Sequence, residues 1–339
     1  MTKFLTVVCF SMIASAAKAQ VDTASISAKL NSIKNLKNNV VCLLTKDGKT
    51  IYKKESADFN GKTQKSIGAA SQWLTAALVM TYVQEGKLSL DDKVTDYIPL
   101  YAKYSKSYIT IRHCLTHNTG IESDFNVNKL FQKGKFKTLE EEAIHFASKR
   151  EIESNPGTEF NYSNVGFNLV GRILEIISKK GFDRIMQDRI LRPCGMRGST
   201  FTNEDYNSAT DPTSGARSTA NDLTNFLTML INKGKFNNKQ VLSEESVNTL
   251  LTLAPEQSMK NVPTAVQGAN YIPGGWAIQN DGKGKAQSAT SPSLSGTWPI
   301  VDLCRGYSLV LMTSRMQNPP PKEFYLDLKS IVDQGLQCK

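Results

Sequence analysis

Among the side chains of this sequence that could support covalent chemistry are serine hydroxyls, tyrosine phenols and three histidines. A serine hydroxyl is a weak nucleophile at neutral pH, so it must lose its proton to a neighbouring base as it attacks. Tyr162-Ser163-Asn164 places a phenol and an amide two residues apart. The histidines lie in loop or amphipathic segments, where a structural role is common. No Ser-His-Asp arrangement can be assembled from the sequence.

Six segments, taken in order, resemble one known family. They cover most of the chain after residue 19, and together they are specific although each alone would be weak. The family is that of the β-lactamase-related, penicillin-recognising serine hydrolases, which includes class C β-lactamases, esterases and DD-peptidases. The six segments are residues 67–78, 84–92, 115–120, 160–164, 193–196 and 218–223.

The resemblance implies an S-x-x-K motif at the start of a helix, followed by a Tyr-x-Asn or Ser-x-Asn loop and a Lys- or His-led triplet ending in Gly. The lysine of S-x-x-K lies on the same helix face as the serine, because a spacing of three closes about one turn. Here the motif reads Ala69-Ala70-Ser71-Gln72, with Ala69 at the nucleophile position and Gln72 at the lysine position. Alanine has no hydroxyl and glutamine has no titratable proton. The acyl-enzyme route is therefore closed at this position, which costs several orders of magnitude in rate.

The second and third motifs differ in how well they are retained. The resemblance places Tyr162 and Asn164 beside the former catalytic pocket, whereas Ser163 or Asn164 could instead cap a helix beginning at Val165. The third motif reads Ser291-Pro292-Ser293, where a basic residue, a hydroxyl residue and glycine are expected. Proline lacks a backbone N–H and Ser293 adds a side chain where glycine lets substrate approach. Departures at two distant motifs favour natural loss of activity over a laboratory knock-out.

Three serines are alternative nucleophiles, namely Ser71, Ser291 and Ser293. Ser71 lies about 200° around the helix from Ala69, so we expect a structural role for it. We therefore expect a catalytically inactive homologue that keeps its cleft for a peptide or cell-wall-derived ligand, or for a partner. Two alternatives remain open. One is an active esterase, peptidase or amidase that uses one of these serines, and the other is a structural protein whose cleft is filled.

The two ends of the chain carry the strand signals. Asp47-Gly48 separates two strand-like runs and predicts a tight hairpin. A polar helix is expected at residues 25–36, and a final helix carries Phe324, Leu328 and Ile331. We expect the hairpin to join four late strands in one antiparallel sheet. The late strands are predicted at residues 276–278, 288–290, 297–301 and 307–312.

The middle of the chain has helical periodicity, which indicates an α+β fold. One apolar helix runs from Trp73 towards Gly86, another begins at Val165, and Thr219 followed by Asp222 is typical of a helix start with a capping box. These patterns predict an antiparallel sheet flanked by N- and C-terminal helices, with an inserted mostly helical domain. Residues 20–58 and 219–339 would form the sheet subdomain, and residues 59–218 the helical subdomain.

The N-terminus has the three parts of a secretory signal peptide. Lys3 precedes an apolar run at residues 4–14, and Ala17-Lys18-Ala19 resembles a cleavage site. We predict a signal peptide at residues 1–19 and a periplasmic or secreted mature protein. The apolar run is shorter than the roughly 20 residues of a membrane span, so no transmembrane anchor is expected.

Charge and cysteine content restrict the kinds of partner and cofactor that we expect. Loss of Lys3 and Lys18 with the signal peptide lowers the formal net charge from +10 to +8. The lysines are dispersed without interleaved aromatic residues, so no nucleic-acid partner is expected. The cysteine spacing contains no C-x-x-C and no histidine at ligand spacing, so we expect no metal and no cofactor.

Five cysteines remain after residue 19. The odd number leaves at least one thiol free or paired between chains, and most are expected to be buried structural thiols. The sequence fixes neither their pairing nor the oligomeric state. The five are Cys42, Cys114, Cys194, Cys304 and Cys338.

Overall fold

A computed structural model shows a seven-stranded antiparallel sheet with helices on both faces. The α+β fold predicted from the sequence is therefore confirmed. The predicted signal peptide lies outside the described residues, and the subdomain boundaries at residues 58 and 218 stay a prediction. The structure describes residues 20–33, 36, 39–123, 136–202, 208–294, 296–314 and 320–338.

The strands of the described chain are numbered in chain order. They are β1 (Val40–Lys46), β2 (Lys49–Lys54), β3 (Lys65–Ser66), β4 (Phe160–Asn161), β5 (Arg217–Ser218), β6 (Lys235–Phe236), β7 (Lys239–Gln240), β8 (Met259–Lys260), β9 (Asn270–Ile272), β10 (Gly275–Asn280), β11 (Ala286–Thr290), β12 (Thr297–Asp302) and β13 (Tyr307–Thr313).

The helices of the described chain are numbered in the same way. They are α1 (Thr23–Asn31), α2 (Ser71–Val83), α3 (Val94–Tyr97), α4 (Ile111–Leu115), α5 (Leu139–Lys149), α6 (Val165–Ser178), α7 (Phe182–Met186), α8 (Ala220–Ile231), α9 (Glu244–Leu250) and α10 (Lys322–Gln334).

The main sheet combines the two ends of the chain in the order β2-β1-β13-β12-β11-β10-β9. Strand β1 pairs antiparallel with β13 from Val40 opposite Thr313 to Lys46 opposite Tyr307. The turn into β2 consists of Asp47 and Gly48, both with positive φ, as a two-residue hairpin turn of this kind requires. The prediction that the first hairpin joins the C-terminal strands is therefore confirmed.

Alternation along β1 divides the apolar side chains between two cores, because successive residues of a strand face opposite sides of the sheet. Val41 and Leu43 belong to the larger core, which includes α2, α6 and α8. Cys42 and Leu44 belong to a second core against α1 and α10. The terminal helices thus cover one face of the sheet, and the rest of the helical part covers the other.

Two elements of the main sheet and of the terminal helices that cover it differ from the sequence predictions. The N-terminal helix spans Thr23–Asn31 instead of residues 25–36, because the Asp22 carboxylate accepts the Ala24 and Ser25 N–H groups and starts the helix earlier. Strand β9 was not predicted. It is only three residues long and lies at the edge of the sheet, so no alternating pattern marks it.

The start of α8 is also only partly as predicted. Thr219 Oγ1 accepts the Asp222 N–H at 3.1 Å and so caps the helix. The Asp222 carboxylate, however, accepts the Gly198 N–H at 2.8 Å and the Ser199 hydroxyl at 2.7 Å. The carboxylate therefore stabilises a neighbouring loop instead of completing a capping box.

Cys304 and Cys338 form a disulfide that joins the β12–β13 turn to the segment after α10. Cys42, Cys114 and Cys194 are free and buried. Burial raises the pKa of Cys42 and Cys194 to about 12, so these thiols are protonated at neutral pH. Among the helices that the structure describes, none is both long and apolar enough to cross a bilayer.

Candidate active site

Ala69 lies in a short 3₁₀ turn, Gly68–Ala70, that leads directly into α2. It is partly exposed and presents only a methyl group. Ser71, by contrast, is completely buried. Its hydroxyl donates to Gly68 O at 2.6 Å and accepts the Ala216 N–H at 3.0 Å. Ser71 thus joins the start of α2 to the segment before β5.

Gln72 is the centre of a buried hydrogen-bond network. Its Nε2 donates to the Tyr162 hydroxyl at 2.8 Å. Its Oε1 lies 3.1 Å from His117 Nε2 and accepts the Tyr271 hydroxyl at 3.3 Å. Only 2% of Gln72 is exposed. The carboxamide is therefore held by three side chains from three separate parts of the fold.

The hydrogen bonds of His117 define its tautomer. Its Nδ1 accepts the Ser163 N–H at 3.3 Å, so the ring proton lies on Nε2 and points to Gln72 Oε1. Burial lowers the pKa of His117 to about 3, which keeps the ring neutral at pH 7. Donors and acceptors therefore alternate from the Ser163 backbone through His117 and Gln72 to Tyr162, without a formal charge.

Tyr162 belongs to a buried aromatic cluster around His117, which we define as Phe160, Tyr162, Tyr271 and Trp276. The Tyr162 and His117 rings have centroids 4.5 Å apart, and those of Tyr271 and Trp276 are 4.8 Å apart. Burial raises the pKa of Tyr162 above its ordinary value, against a smaller lowering by the Gln72 hydrogen bond. The phenol is consequently protonated at neutral pH and cannot act as a base there.

Asn164, the other retained residue of the second motif, points away from this network. Its Nδ2 donates to Glu142 Oε1 at 3.3 Å, and Asn168 Nδ2 donates to the other oxygen of the same carboxylate at 2.9 Å. Asn164 occupies the N-cap position of α6, but its side chain makes no capping hydrogen bond. The structure therefore places Tyr162, but not the Asn164 amide, beside Gln72.

The third motif meets the first at Ser291. The Ser291 hydroxyl is shared between Gly274 O at 3.0 Å and Ala69 O at 3.3 Å. Ser293 forms a tight turn, donating its N–H to Thr297 O at 2.9 Å and accepting the Gly296 N–H at 3.0 Å. Ser291 is buried, whereas Ser293 is partly exposed.

Gly274 allows the β9–β10 turn to approach α2 closely. Its φ is +79°, and a Cβ atom there would lie 2.6 Å from Gln72 O and 2.8 Å from the Trp73 Cα. A side chain would therefore force the turn away from the helix. Glycine at this position brings Tyr271, three residues earlier, into contact with Gln72.

Comparison with known proteins identifies the family. A family model for beta-lactamases matches residues 36–331. The chain belongs to the beta-lactamase family. The resemblance inferred from the sequence motifs is therefore confirmed.

Similar proteins support the family and the fold. A candidate beta-lactamase from Bacteroides dorei DSM 17855 is 23% identical, covers 92% of this chain and 98% of its own, and has a TM-score of 0.81. Protein flp of Staphylococcus aureus strain MW2 is 27% identical over 180 residues, or 50% of this chain and 36% of that protein. Penicillin-binding protein 4 of Amycolatopsis lactamdurans is 28% identical over 135 residues, which are 39% of this chain and 34% of that protein. The alignments with protein flp and with penicillin-binding protein 4 thus each span about a third of the relative's own length.

Sequence reasoning missed one cation near the third motif of this beta-lactamase family member. Lys65, on β3, donates its ammonium to Thr313 O at the end of β13. The Thr313 N–H in turn donates to Gly296 O at 2.8 Å, in the turn that follows Ser293. Burial lowers the pKa of Lys65 to about 8. Strand β3 is two residues long, and no pattern in the sequence associates it with the third motif.

Positions 69 and 72 of this family member supply neither a nucleophile nor a cation. Within the described ranges, no three His, Cys, Asp or Glu side chains are grouped so that they could hold a metal ion. The arrangement can donate and accept hydrogen bonds at a neutral, largely buried centre. Ala69 and Ser293 are partly exposed, and Leu294, the residue after Ser293, is 45% exposed.

Proposed function

We propose that this protein is a catalytically inactive member of the beta-lactamase family that uses the surface around Ala69 to bind a ligand or a partner. The observation that carries the proposal is the pair of positions 69 and 72. Ala69 has no hydroxyl, and the Gln72 amide occupies the lysine position within a neutral hydrogen-bond network.

The neighbours of Gln72 support loss of catalysis beyond a single change. His117 Nε2 and the Tyr271 hydroxyl both direct a proton towards Gln72 Oε1. A lysine ammonium has three donors and no acceptor, so it could not accept either bond. The surroundings of position 72 therefore match an amide and would disfavour the catalytic cation.

The other serines of the site give little support for an alternative nucleophile. Ser71 is buried and its hydroxyl is engaged by two backbone groups. The Ser291 hydroxyl donates to carbonyl oxygens, which are too weakly basic to activate it. An active hydrolase that uses Ser291 or Ser293 would need a base that moves into place.

The accessible edge of the site favours an extended ligand. Ala69, Ser293 and Leu294 combine a methyl group, a hydroxyl and an exposed apolar side chain. Such a mixture suits a peptide or a cell-wall-derived fragment, which offers both amide groups and apolar side chains. A positive overall charge would further favour anionic wall polymers.

Covalent labelling tests the proposal. We expect no adduct by intact mass after incubation of the mature protein with a fluorescent penicillin or a fluorophosphonate. The matched comparison is Ser293→Ala, which removes the accessible serine of the third motif. An adduct on the unmodified protein that disappears in Ser293→Ala, or in the equivalent Ser291 variant, would show that the chemistry has moved to another serine.

We also propose export after cleavage of residues 1–19. The basis is the charged, apolar and small-residue order of Lys3, residues 4–14 and Ala17-Lys18-Ala19. Mass spectrometry of exported protein should identify Gln20 as the first residue. Exported protein that retains Met1 would contradict the cleavage.

A further inference from the structure

A cavity lies at the far end of α2 from Ala69. It has a volume of about 270 Å³ and opens between the end of α2, the end of α6 and the segment after α7. Tyr82 follows Gln72 by ten residues on α2, which corresponds to about 15 Å along the helix axis. The cavity is therefore separate from the candidate active site. Its lining includes Tyr82, Lys87, Ile177, Lys180, Ile185 and Arg189.

Cations outnumber carboxylates around this cavity. Glu85 receives both a bidentate contact from Arg189, at 2.7 and 2.8 Å, and Lys87 at 2.7 Å. The Arg189 hydrogen bonds are the largest of several effects that together lower the pKa of Glu85 to about 2, so the carboxylate is ionised across the physiological range.

Asp188 is surrounded in the same way. Lys180 approaches it at 3.5 Å, Arg184 at 3.0 Å and Arg192 at 3.1 Å. Five cationic side chains thus share two carboxylates, and three of the five, Lys87, Lys180 and Arg189, line the cavity. The surplus of positive charge favours an anion.

The local backbone shapes the opening. The segment Gln187–Leu191 is a π-helical turn. Such turns are rare in proteins, and those that occur are often found at functional sites. The Arg189 guanidinium stacks 4.2 Å from the centre of the Tyr82 ring. Ile177 and Ile185 are apolar residues of the lining. The cavity is therefore lined by both charged and apolar side chains.

We propose that this cavity binds a small carboxylate with a short apolar chain. The carboxylate would pair with Lys87 and Lys180, whose side chains are 55% and 57% exposed and can turn towards a ligand. The chain would lie against Ile177 and Ile185. A volume of about 270 Å³ falls just below the roughly 300–1,000 Å³ of sites for drug-sized molecules, which selects a short ligand.

Calorimetric titration of the full mature chain with hexanoate tests the proposal. Hexan-1-ol and hexylammonium are the comparison ligands, because they keep the chain and change the charge. We expect saturable binding of hexanoate that weakens with added salt, and weaker binding of both comparison ligands. Lys87→Gln combined with Lys180→Gln should weaken hexanoate binding at least about tenfold.

Lys239→Gln is the matched control, because Lys239 is exposed on β7 and outside the cavity. It should leave hexanoate binding unchanged. Far-UV circular dichroism and melting without ligand establish that the lysine variants fold. Absence of saturable binding, equal affinity for hexan-1-ol, or full affinity in the double variant would overturn the proposal.

Discussion

Gln72 Nε2 lies 2.8 Å from the Tyr162 hydroxyl, so the first and second motifs of the family are joined by a hydrogen bond between neutral groups. The same carboxamide accepts from His117 and Tyr271 through its oxygen. Both ends of the amide are therefore used. This arrangement is specific to an amide, since no other common side chain of that size offers a donor and an acceptor together.

Gln72→Lys should destabilise the protein. The ammonium cannot accept the protons of His117 and Tyr271, and the charge is placed where Gln72 is almost completely buried. We expect the free energy of unfolding to fall by about 1–3 kcal/mol, measured by urea denaturation. Gln267→Lys, at an exposed position, is the control and should change stability little. Equal stability of the Gln72 variant and the wild type would show that the network adapts to a cation.

Ala69→Ser together with Gln72→Lys should restore covalent labelling by fluorescent penicillin only in part. The two changes return a hydroxyl and a cation to one wall of the site. The opposite wall keeps Ser291 and Ser293, without the basic residue and the glycine expected there. We expect slow acylation without fast turnover, followed by intact mass over time. Ala69→Ser alone is the control, and it should be labelled less than the double variant. Rapid turnover by the double variant would contradict the role assigned to the third motif.

The buried ring of His117 should make stability depend on pH. The folded protein keeps His117 neutral down to about pH 3, whereas the unfolded chain binds a proton below about pH 6.5. Acidification through this window therefore favours the unfolded state, and the free energy of unfolding should decrease by up to about 1.4 kcal/mol per pH unit.

His117→Asn tests this dependence, because asparagine tolerates the positive φ of 55° and does not titrate. The variant should be less stable at pH 7 but should lose less stability between pH 6.5 and 3. Part of the dependence of the free energy of unfolding on pH should remain, since burial also lowers the pKa of His113. An unchanged slope in His117→Asn would rule out the buried neutral ring as its source.

Lys329 should be important for stability. Its ammonium lies 2.9 Å from Asp302 Oδ2 and 2.6 Å from Asp333 Oδ2, while the Asp302 side chain is fully buried. Lys329→Met should cost about 3–5 kcal/mol because it leaves a buried carboxylate without its main partner. Lys322→Met, on the same helix but outside this cluster, should cost about 0.5 kcal/mol or less in the same denaturation assay. Similar losses in both variants would contradict the role of the buried ion pair.

Much of the fold could be predicted because local patterns specify it. Asp47-Gly48 marks the first hairpin, and apolar spacing marks α2, α6 and α8. Strand β9 was missed because three residues at a sheet edge carry no alternation. The family motifs pointed to Ala69, Gln72 and Tyr162; the structure joins Gln72 to Tyr162 by a hydrogen bond, and the assignment of the three residues to a functional site stays a prediction.

The contacts within the site could not be predicted, because they join residues far apart in the sequence. Gln72 meets Tyr271 only because Gly274 allows a turn to approach α2. The second motif predicts that Asn164 lies beside the pocket. In the structure its amide donates a hydrogen bond to Glu142, a buried carboxylate of α5. The spacing of a motif fixes the position of a side chain on its own element, whereas packing of the elements decides which group it meets.

The pairing of β1 with β13 also determines when the chain can fold. The first hairpin leaves the ribosome before the other strands of the sheet, yet an isolated pair of strands is at best marginally stable in water. The neighbour of β1 in the sheet, β13, is made only after the whole helical part of the chain, and α10, which covers the outer face, follows β13. Contacts over so long a separation are slow to form. The central sheet therefore cannot be completed until the helical part between β2 and β9 has been synthesised.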